Sequence, residues 1–275
     1  MNNWVKYASV LILLTLTLLM VSGCGLFGDA LSVFQARETW EGLYSLEPGT
    51  EIAIVNENGS VHVRQSATAT ELSLTVIKRS FQRANLEDVE IVVTPGTTFR
   101  AETIYPDPPR RSVVVEWDVV VPEGLILSEV KTSNGHLVVV GTSGDLKAET
   151  SNGNLRLQGI DGYVHAWTSN GRAQVQDCRG IDRVRSSNGG IEVDVRAIRD
   201  RVEISTSNGR VVAALSPELD VALTARTSNG RVSVDEELLQ VQQHSQTEFV
   251  GTMGAGDYEV FLRTSNGNIR IETLR

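Results

Sequence analysis

Thr150-Ser151-Asn152-Gly153 belongs to a series of nearly identical tetrapeptides that recur along the chain. The full copies are Thr132–Gly135, Thr150–Gly153, Thr168–Gly171, Thr206–Gly209, Thr227–Gly230 and Thr264–Gly267, joined by the near-copy Ser186–Gly189 and the weaker Glu57–Gly59. The Asn residues of the copies from 134 to 188 lie 18 residues apart, and the later gaps are 20, 21 and 37 residues. A nearly constant period of this length is typical of solenoid proteins, in which each coil of chain stacks on its neighbour.

Aliphatic residues flank most copies with a period of two. Counted from the Asn, they occupy the positions six and four before it and three and five after it, as do Leu146, Ala148, Leu155 and Leu157 around Asn152. This alternation predicts short strands with one buried face. The two strands of a coil lie nine residues apart, so each coil is predicted to have two similar halves, each a turn followed by a strand.

The residue pairs at the corners of the coils favour tight turns. Glycine after Asn or Asp supplies the positive φ that many tight turns need, so the corner glycines are predicted to adopt it. A second set of corners follows nine residues later, at Ser143-Gly144, Asp161-Gly162 and Arg179-Gly180. The predicted structural turn ladder comprises Asn134, Gly135, Asn152, Gly153, Asn170, Gly171, Asn188, Gly189, Asn208, Gly209, Asn229, Gly230, Asn266 and Gly267.

Asn-Gly between alternating strands is compatible with two arrangements, an antiparallel meander of hairpins or parallel stacking of coils. Stacking explains why the polar Thr and Asn recur, since each would lie about 4.8 Å from its own copy and could bond along a ladder. The sequence therefore predicts an all-β fold, a single-stranded parallel β-solenoid (β-helix) with two-strand coils of 18 residues. Crossover preference favours right-handed coiling.

Residues 1–23 have the features of a bacterial lipoprotein signal peptide. The apolar run Tyr7–Val21 is shorter than the roughly 20 residues that a membrane-spanning helix needs. Val21-Ser22-Gly23-Cys24 resembles the lipobox. The resemblance implies cleavage before Cys24, lipid attachment to its sulfur, and anchoring to a membrane on its extracytoplasmic side. An uncleaved N-terminal anchor and a plain secretory signal are the alternatives.

The charge and cysteine content narrow the choice of partners. The chain has a formal net charge of −9, and cleavage would remove Lys6 but no acid, which argues against nucleic acid as a partner. With Cys24 used for the lipid, Cys178 has no cysteine partner, so no disulfide framework is expected. Cys178 is interpreted as an incidental small residue, and a reactive thiol is the alternative.

The spacing of the copies suggests how the chain is organised. Residues 24–37 are predicted to be a lipid-anchored tether, and residues 123–275 the regular array. Residues 38–122 are predicted to form irregular β coils continuous with the array, because Asn58 and Asn134 are 76 residues apart, or about four coils. A separate small β-domain is the alternative. Leu238–Gln246 is interpreted as a loop or edge decoration, and Asn268–Arg275 as the terminal strand with a charged, protected edge.

Residues that could bind a metal ion are not grouped in the sequence. A calcium-binding β-roll needs Asp repeated on successive turns, whereas Asp161 and Asp182 do not recur as a ladder. Zinc sites need clustered Cys and His. The histidines are scattered, at His62, His136, His165 and His244. The sequence therefore predicts neither a metal ion nor a cofactor.

The nearest group of carboxylates is formed by Asp182 and Asp200, each followed by an arginine, Arg183 and Arg201. Polysaccharide-cleaving β-helix enzymes use carboxylates on adjacent coils, but these charges alternate in sign and predict solvated ion pairs. Asp182 also occupies a position where other coils bury Val or Leu. Either Ile181 takes its place through a local shift or this coil bulges.

One aromatic strip is a candidate ligand patch. Tyr163, His165 and Trp167 alternate with buried-type residues and are predicted to share the outer face of one strand. Trp167 would stack between Glu149 and Arg185 of the neighbouring coils. An exposed aromatic strip flanked by charges could stack on sugar rings or dock an envelope protein. The alternative is that Trp167 lies over its neighbours and shields the sheet.

The repeated motif resembles the DUF4097 family, whose members are also described as candidate adhesins. The resemblance rests on Thr-Ser-Asn-Gly followed by alternating aliphatics, on Val120–Gly124 before the array, and on the ending from Glu248–Gly251 through Thr264–Ile271. It covers roughly residues 40–275. The resemblance implies a β-solenoid on a secreted or surface protein, and the family has no catalytic motif to transfer.

Three functional hypotheses follow from these features. The first is a non-enzymatic, lipid-anchored cell-surface protein that acts as an adhesin or envelope scaffold. The second is an accessory or sensor protein of an envelope-stress or secretion system, with a protein partner at the loop near Gln240–Gln246. The third is a polysaccharide-active enzyme. The predicted partners are the membrane through Cys24 and a glycan or envelope protein.

Overall fold

A computed structural model describes residues 36–106, 112–235 and 239–274. Within these residues the regular structure is almost entirely β, apart from one helical turn, α1 (Ala84–Glu87). The strands are β1 (Ala36–Tyr44), β2 (Glu51–Val55), β3 (Val61–Ser66), β4 (Leu72–Ser80), β5 (Glu90–Thr94), β6 (Thr98–Ile104), β7 (Val114–Pro122), β8 (Ile126–Lys131), β9 (Leu137–Val140), β10 (Leu146–Thr150), β11 (Leu155–Gln158), β12 (Tyr163–Thr168), β13 (Ala173–Gln176), β14 (Gly180–Ser186), β15 (Ile191–Val195), β16 (Val202–Asn208), β17 (Val211–Leu215), β18 (Val221–Asn229), β19 (Val232–Val234), β20 (Gln240–His244), β21 (Glu248–Met253), β22 (Tyr258–Asn266) and β23 (Ile269–Thr273).

The predicted signal peptide, Cys24 and most of the predicted tether lie outside the described residues. In the part of the chain that the structure describes, no helix is long and apolar enough to cross a membrane.

The strands form two long sheets. Sheet A has the order β1-β4-β7-β3-β9-β11-β13-β15-β17-β23-β19, and sheet B has the order β20-β21-β18-β22-β16-β14-β12-β10-β8-β2-β6-β5. Each coil of the array gives one strand to each sheet, and neighbouring coils pair in parallel. The predicted parallel β-solenoid is therefore confirmed, and the antiparallel meander is wrong for the array. The handedness of the coil stays a prediction.

The space between the two sheets is filled by the aliphatic positions that the sequence marks. Leu146 and Ala148 of β10, and Leu155 and Leu157 of β11, are at most 1% exposed. Each such side chain contributes roughly 1.5–3 kcal/mol relative to an exposed one. Because like positions lie in register on neighbouring strands, a coil gains this stabilisation only when other coils cover it.

A ladder of Asn carboxamides runs along one corner of the solenoid. Asn152 Nδ2 donates to Asn134 Oδ1 at 2.8 Å, and Asn170 Nδ2 donates to Asn152 Oδ1 at 2.8 Å. The same bond, at 2.8 or 2.9 Å, continues in turn through Asn188, Asn208, Asn266 and Asn229. Every inner carboxamide donates to one coil and accepts from the other, so the ladder fixes the register of successive coils.

The Thr two residues before each Asn makes a different bond from the one predicted. Its buried hydroxyl donates to a glycine carbonyl of the neighbouring coil rather than to another Thr, as in Thr168 Oγ1 to Gly153 O at 2.9 Å. Equivalent bonds of 2.8–3.1 Å are made by Thr132, Thr150, Ser186, Thr206, Thr227 and Thr264. The bond satisfies a hydroxyl that would otherwise be costly to bury.

The glycines of the Asn-Gly corners are required for a different reason from the one predicted. Only Gly59 among them has a positive φ, 129°. A Cβ on Gly171 would lie 1.9 Å from the carbonyl oxygen of Gly153. Overlaps of 1.8–2.1 Å recur at Gly135, Gly153, Gly189, Gly209, Gly230 and Gly267. The prediction of positive φ is therefore wrong at these positions. Glycine is needed there because the backbones of successive coils are in direct contact and leave no space for a side chain.

The N-terminal strands close one end of the solenoid. Asn58 forms a parallel bridge directly to Asn134, so β2 and β3 make the coil next to β8 and β9. Beyond that coil, β6 and β7 form one more, and β5, β4 and β1 add antiparallel strands. The 76-residue spacing therefore does not represent four stacked coils. Strand β1, which was not predicted, begins at Ala36, inside the predicted tether.

The C-terminal coil is inserted between two earlier coils. β22 lies between β16 and β18, and β23 lies between β17 and β19. The antiparallel pair β20–β21 packs against β18 and returns the chain to this position. The prediction that Asn268–Arg275 is the terminal edge strand is therefore wrong. The edge strands at this end are β19 in sheet A and β20, within Leu238–Gln246, in sheet B.

Ile181 explains the irregular coil around Asp182. Ile181 is fully buried and in register with Val164, whereas Asp182 is partly exposed. The register between β12 and β14 shifts after Val164, which marks a bulge. The sequence offered a local shift of Ile181 or a bulge as alternatives. Both occur together, because the bulge is the shift that places Ile181 in the core.

We predict that Gly171→Ala lowers the free energy of unfolding by about 3 kcal/mol, because its Cβ would overlap backbone that cannot rotate away. The control is Gly96→Ala, whose Cβ would have no neighbour closer than 3.4 Å and should change stability by less than about 1 kcal/mol. Urea denaturation of the full-length protein in detergent, followed by circular dichroism, measures both. Equal midpoints for the two variants would contradict the corner contact.

Candidate functional site

The candidate site is the outer face of sheet B around β12, which carries the aromatic strip Tyr163, His165 and Trp167. These side chains alternate with Val164 and Ala166, which are fully buried. Each member of the strip is half-buried. The strip therefore covers part of the sheet and still presents part of each side chain to a ligand.

Trp167 lies between charged residues of the neighbouring coils. It is in register with Glu149 of β10 on one side and with Arg185 of β14 on the other. Adjacent parallel strands lie about 4.8 Å apart, so these charged side chains are the nearest lateral neighbours of the indole.

Ion pairs hold the flanking charges in place. Lys147 Nζ lies 3.0 Å from a carboxylate oxygen of Glu149 and 3.7 Å from one of Glu129, and the bond to Glu149 raises the pKa of Lys147. On the other side, Arg185 Nη2 lies 2.6 Å from both carboxylate oxygens of Glu203. Partial burial alone would raise the pKa of Glu203, but the Arg185 guanidinium outweighs it and lowers this pKa.

His165 is the member of the strip whose charge can change near neutral pH. Burial, followed by the positive charge of Arg183, lowers the pKa of His165, while Glu149 and Asp182 oppose this weakly. The imidazole is therefore neutral at pH 7. Its protonation would place a third cation beside Arg183 and Lys147.

Tyr163 is held by an arginine from a distant loop. The Arg199 guanidinium lies 4.1 Å from the centroid of the Tyr163 ring. It also donates to Asp145 at 2.6 Å and to Asp182 at 3.0 Å. The pKa of Asp145 is lowered despite its partial burial, because the Tyr163 backbone N–H and Arg199 both donate to its carboxylate.

A family model for Toastrack DUF4097 matches residues 49–272. The chain belongs to the DUF4097 family. Two solved structures show limited similarity to it. One is a candidate cell adhesion protein from Clostridium sporogenes, with 15% identity, coverage of 86% of this chain and 100% of that chain, and a TM-score of 0.32. The other is a candidate adhesin from Bacteroides fragilis, with 10% identity, coverage of 88% and 100%, and a TM-score of 0.40. No curated protein is significantly similar to the chain.

In this DUF4097 protein the four charged residues Asp182, Arg183, Asp200 and Arg201 do not form ion pairs with one another. Three of them pair with other residues instead. Asp182 binds Arg199, and Arg183 lies 3.5 Å from Glu203. Arg201 lies 3.7 Å from Glu259, and Asp200 accepts the backbone N–H of Arg201.

Cys178 is a buried thiol that contacts the carbonyl oxygen of Gln176 at 3.3 Å. Burial raises the pKa of Cys178 to about 11, so it stays protonated and unreactive at neutral pH. Among the described ranges, no three His, Cys, Asp or Glu residues lie close enough together to hold a metal ion. His62 and His244 are exposed, and His136 belongs to a backbone contact.

The residue two positions after the Asn forms a second ladder, which sequence reasoning missed. His136 Nδ1 accepts the backbone N–H of Asn154 at 3.0 Å, and Asn154 Oδ1 accepts that of Arg172 at 2.8 Å. Asn268 Oδ1 accepts the N–H of Arg231 at 3.0 Å. The signal was present as Asn or His at this position in several copies. These bonds fix the backbone from which the arginines project.

We predict that His165→Gln makes stability less sensitive to acid. The unfolded chain, with the ordinary His pKa of about 6.5, binds the proton before the folded protein, in which this pKa is lowered. The stability that depends on neutral His165 is therefore present above about pH 6.5 and lost as the pH falls toward the folded-state pKa.

Thermal unfolding at about pH 7.5 and pH 5.5 measures this effect, with His62→Gln on sheet A as the control. The wild type and the control should lose more Tm on acidification than His165→Gln. An equal loss in all three proteins would show that His165 does not contribute to acid sensitivity.

Proposed function

We propose that the protein is a non-enzymatic, lipid-anchored protein of the cell surface that acts as an adhesin or envelope scaffold. The observation that carries the proposal is the aromatic strip, which lies between ordered ion pairs on a face of stacked parallel strands. Membership of the DUF4097 family is consistent with this proposal.

The strip is suited to recognition because its geometry is fixed before a ligand arrives. Trp167 and His165 extend from a strand that is paired on both sides, so little ordering is needed on binding. An indole face binds the apolar face of a sugar ring, and the neighbouring charged groups can bond to its hydroxyls. A glycan of the cell envelope is therefore the ligand class that we propose for the strip.

The carboxylates near the strip favour binding over catalysis. Asp145 and Asp182 are both engaged by Arg199, and Glu203 is engaged by Arg185. A carboxylate that acts as a general acid needs a raised pKa, whereas those of Asp145 and Glu203 are lowered. These pairings support a stabilising role for the carboxylates.

A second candidate function is that of an accessory or sensor protein in an envelope-stress or secretion system. The observation that favours it is β20 (Gln240–His244), the edge strand of sheet B, in which all five residues are exposed. An open edge can pair with a strand of another protein. Crosslinking in cells followed by detergent extraction distinguishes the two, since a stoichiometric membrane partner favours the second function.

We predict that Trp167→Ala abolishes retention on isolated cell-wall glycan without lowering Tm, because the indole lies outside the core. The control is Phe261→Ala, which removes an outward-facing ring from β22 of the same sheet, below Arg201. Co-sedimentation with the glycan measures retention, and differential scanning fluorimetry measures Tm. Equal retention of the wild type and Trp167→Ala would remove the strip as the binding site.

We predict that Cys24→Ser abolishes lipid attachment and releases the protein from the membrane fraction, since the lipobox chemistry needs the Cys24 sulfur. The control is Cys178→Ser, which changes the other cysteine. Metabolic labelling with an alkyne fatty acid, followed by fractionation, measures both effects. Undiminished labelling of Cys24→Ser would overturn the proposed anchor.

A further inference from the structure

The corner that carries the Asn ladder is strongly basic, although the chain as a whole is acidic. We define the ridge as the seven segments that run from three residues before each array Asn to two residues after it: 131–136, 149–154, 167–172, 185–190, 205–210, 226–231 and 263–268. The ridge contains one acidic residue, Glu149. Its seven basic residues are Lys131, Arg172, Arg185, Arg210, Arg226, Arg231 and Arg263.

The stacking order places these arginines at regular steps. The ladder runs through Asn170, Asn188, Asn208, Asn266 and Asn229 in that order. Every one of these five coils has an arginine on the ridge. The arginine lies two residues after the Asn in the coils of Asn170 and Asn208, and three residues before it in the coils of Asn188 and Asn266. The coil of Asn229 has an arginine at both positions. The positive charges therefore alternate across the ridge at steps of about 4.8 Å.

Four of the arginines are available to a ligand. Arg172, Arg210, Arg231 and Arg263 are exposed, and among the described residues none of them forms an ion pair. The other two ridge arginines are paired, Arg185 with Glu203 and Arg226 with Glu248. Four unpaired cations distributed along one corner attract an anion that extends in one dimension.

The groups between the arginines are neutral and can form hydrogen bonds. Each inner carboxamide of the ladder uses one donor and one acceptor, so a second N–H and a second lone pair remain on its exposed side chain. Asn154, Asn170, Arg172, Gln174 and Asn188, with the neighbouring glycines, line an open groove of about 500 Å³ on the ridge. Such groups suit sugar hydroxyls.

We propose that the ridge binds a linear acidic polysaccharide whose carboxylates pair with the arginines and whose hydroxyls contact the Asn ladder. This inference rests on the proposed adhesin function and specifies a ligand class for it. Trp167 belongs to both the strip and the ridge, so a polysaccharide that stacks on the indole would lie at the same corner as Arg172 and Arg210.

The shape of the basic region favours a polymer over a membrane surface. The unpaired ridge arginines lie along one corner, whereas the adjoining face of sheet B mixes signs, with Glu129 and Glu203 among its outward residues. A flat anionic surface would meet these carboxylates, whereas a single chain lying along the corner would not.

The test compares two variants with equal charge change, using the full-length protein in nonionic detergent. Arg172→Gln, Arg210→Gln and Arg231→Gln together remove the ridge charges. Arg37→Gln, Arg64→Gln and Arg83→Gln together remove three arginines from the N-terminal part. Affinity electrophoresis and titration calorimetry with polygalacturonate measure binding, with neutral dextran as the uncharged probe.

We expect the wild type and the N-terminal variant to bind polygalacturonate with salt-sensitive affinity, and the ridge variant to bind at least about tenfold more weakly. Equal weakening in both variants, unchanged binding in the ridge variant, or equal binding of dextran would overturn the proposal. The proposal would also be overturned if the wild type bound phosphatidylglycerol vesicles more strongly than polygalacturonate and the ridge variant lost this vesicle binding. If Trp167→Ala loses cell-wall retention and the ridge variant keeps it, the ridge proposal is rejected and the adhesin proposal is retained.

Discussion

Backbone contact between the corner glycines of successive coils sets the geometry of the whole solenoid. A Cβ at these positions would lie about 2 Å from the carbonyl oxygen of the neighbouring coil. The Asn carboxamides and the Thr hydroxyls form their bonds across this same contact, one on the outside and one on the inside of the corner. The inward aliphatics then meet their own copies, because the corner has already fixed the height of each strand.

Because of the same constraint, equivalent residues of successive coils form rows on the surface. A residue at a given distance from its Asn lies beside the equivalent residue of the next coil, so Trp167 must lie between Glu149 and Arg185. The aromatic strip and the basic ridge are both products of this register. Since the core and the corner determine the fold, the outward positions are free to carry aromatic rings or charges according to function.

The repeats and the alternation of aliphatics were sufficient to predict the parallel coils and most of the strands. The reason for glycine at the corners was not predictable, because a close backbone approach and a positive φ demand the same residue. Strand β1 was missed because its sequence lacks regular alternation. Arg199 was not assigned to Tyr163, since this contact depends on a loop that crosses coils. The position of β22 and β23 between earlier coils was also not predictable, because the spacing of repeats in the sequence does not show which coils are neighbours.

The inserted position of the last coil has a consequence for biosynthesis. The ribosome releases β22 and β23 after β18 and β19, yet they occupy the layer beneath them. From β8 to β17, each new coil stacks on the coil made just before it. Beyond β17, the earlier-made strands β18 and β19 cannot take their final places in the stack until β22 and β23 are present. This end of the solenoid is therefore closed only after β22 and β23 have taken their places in the stack.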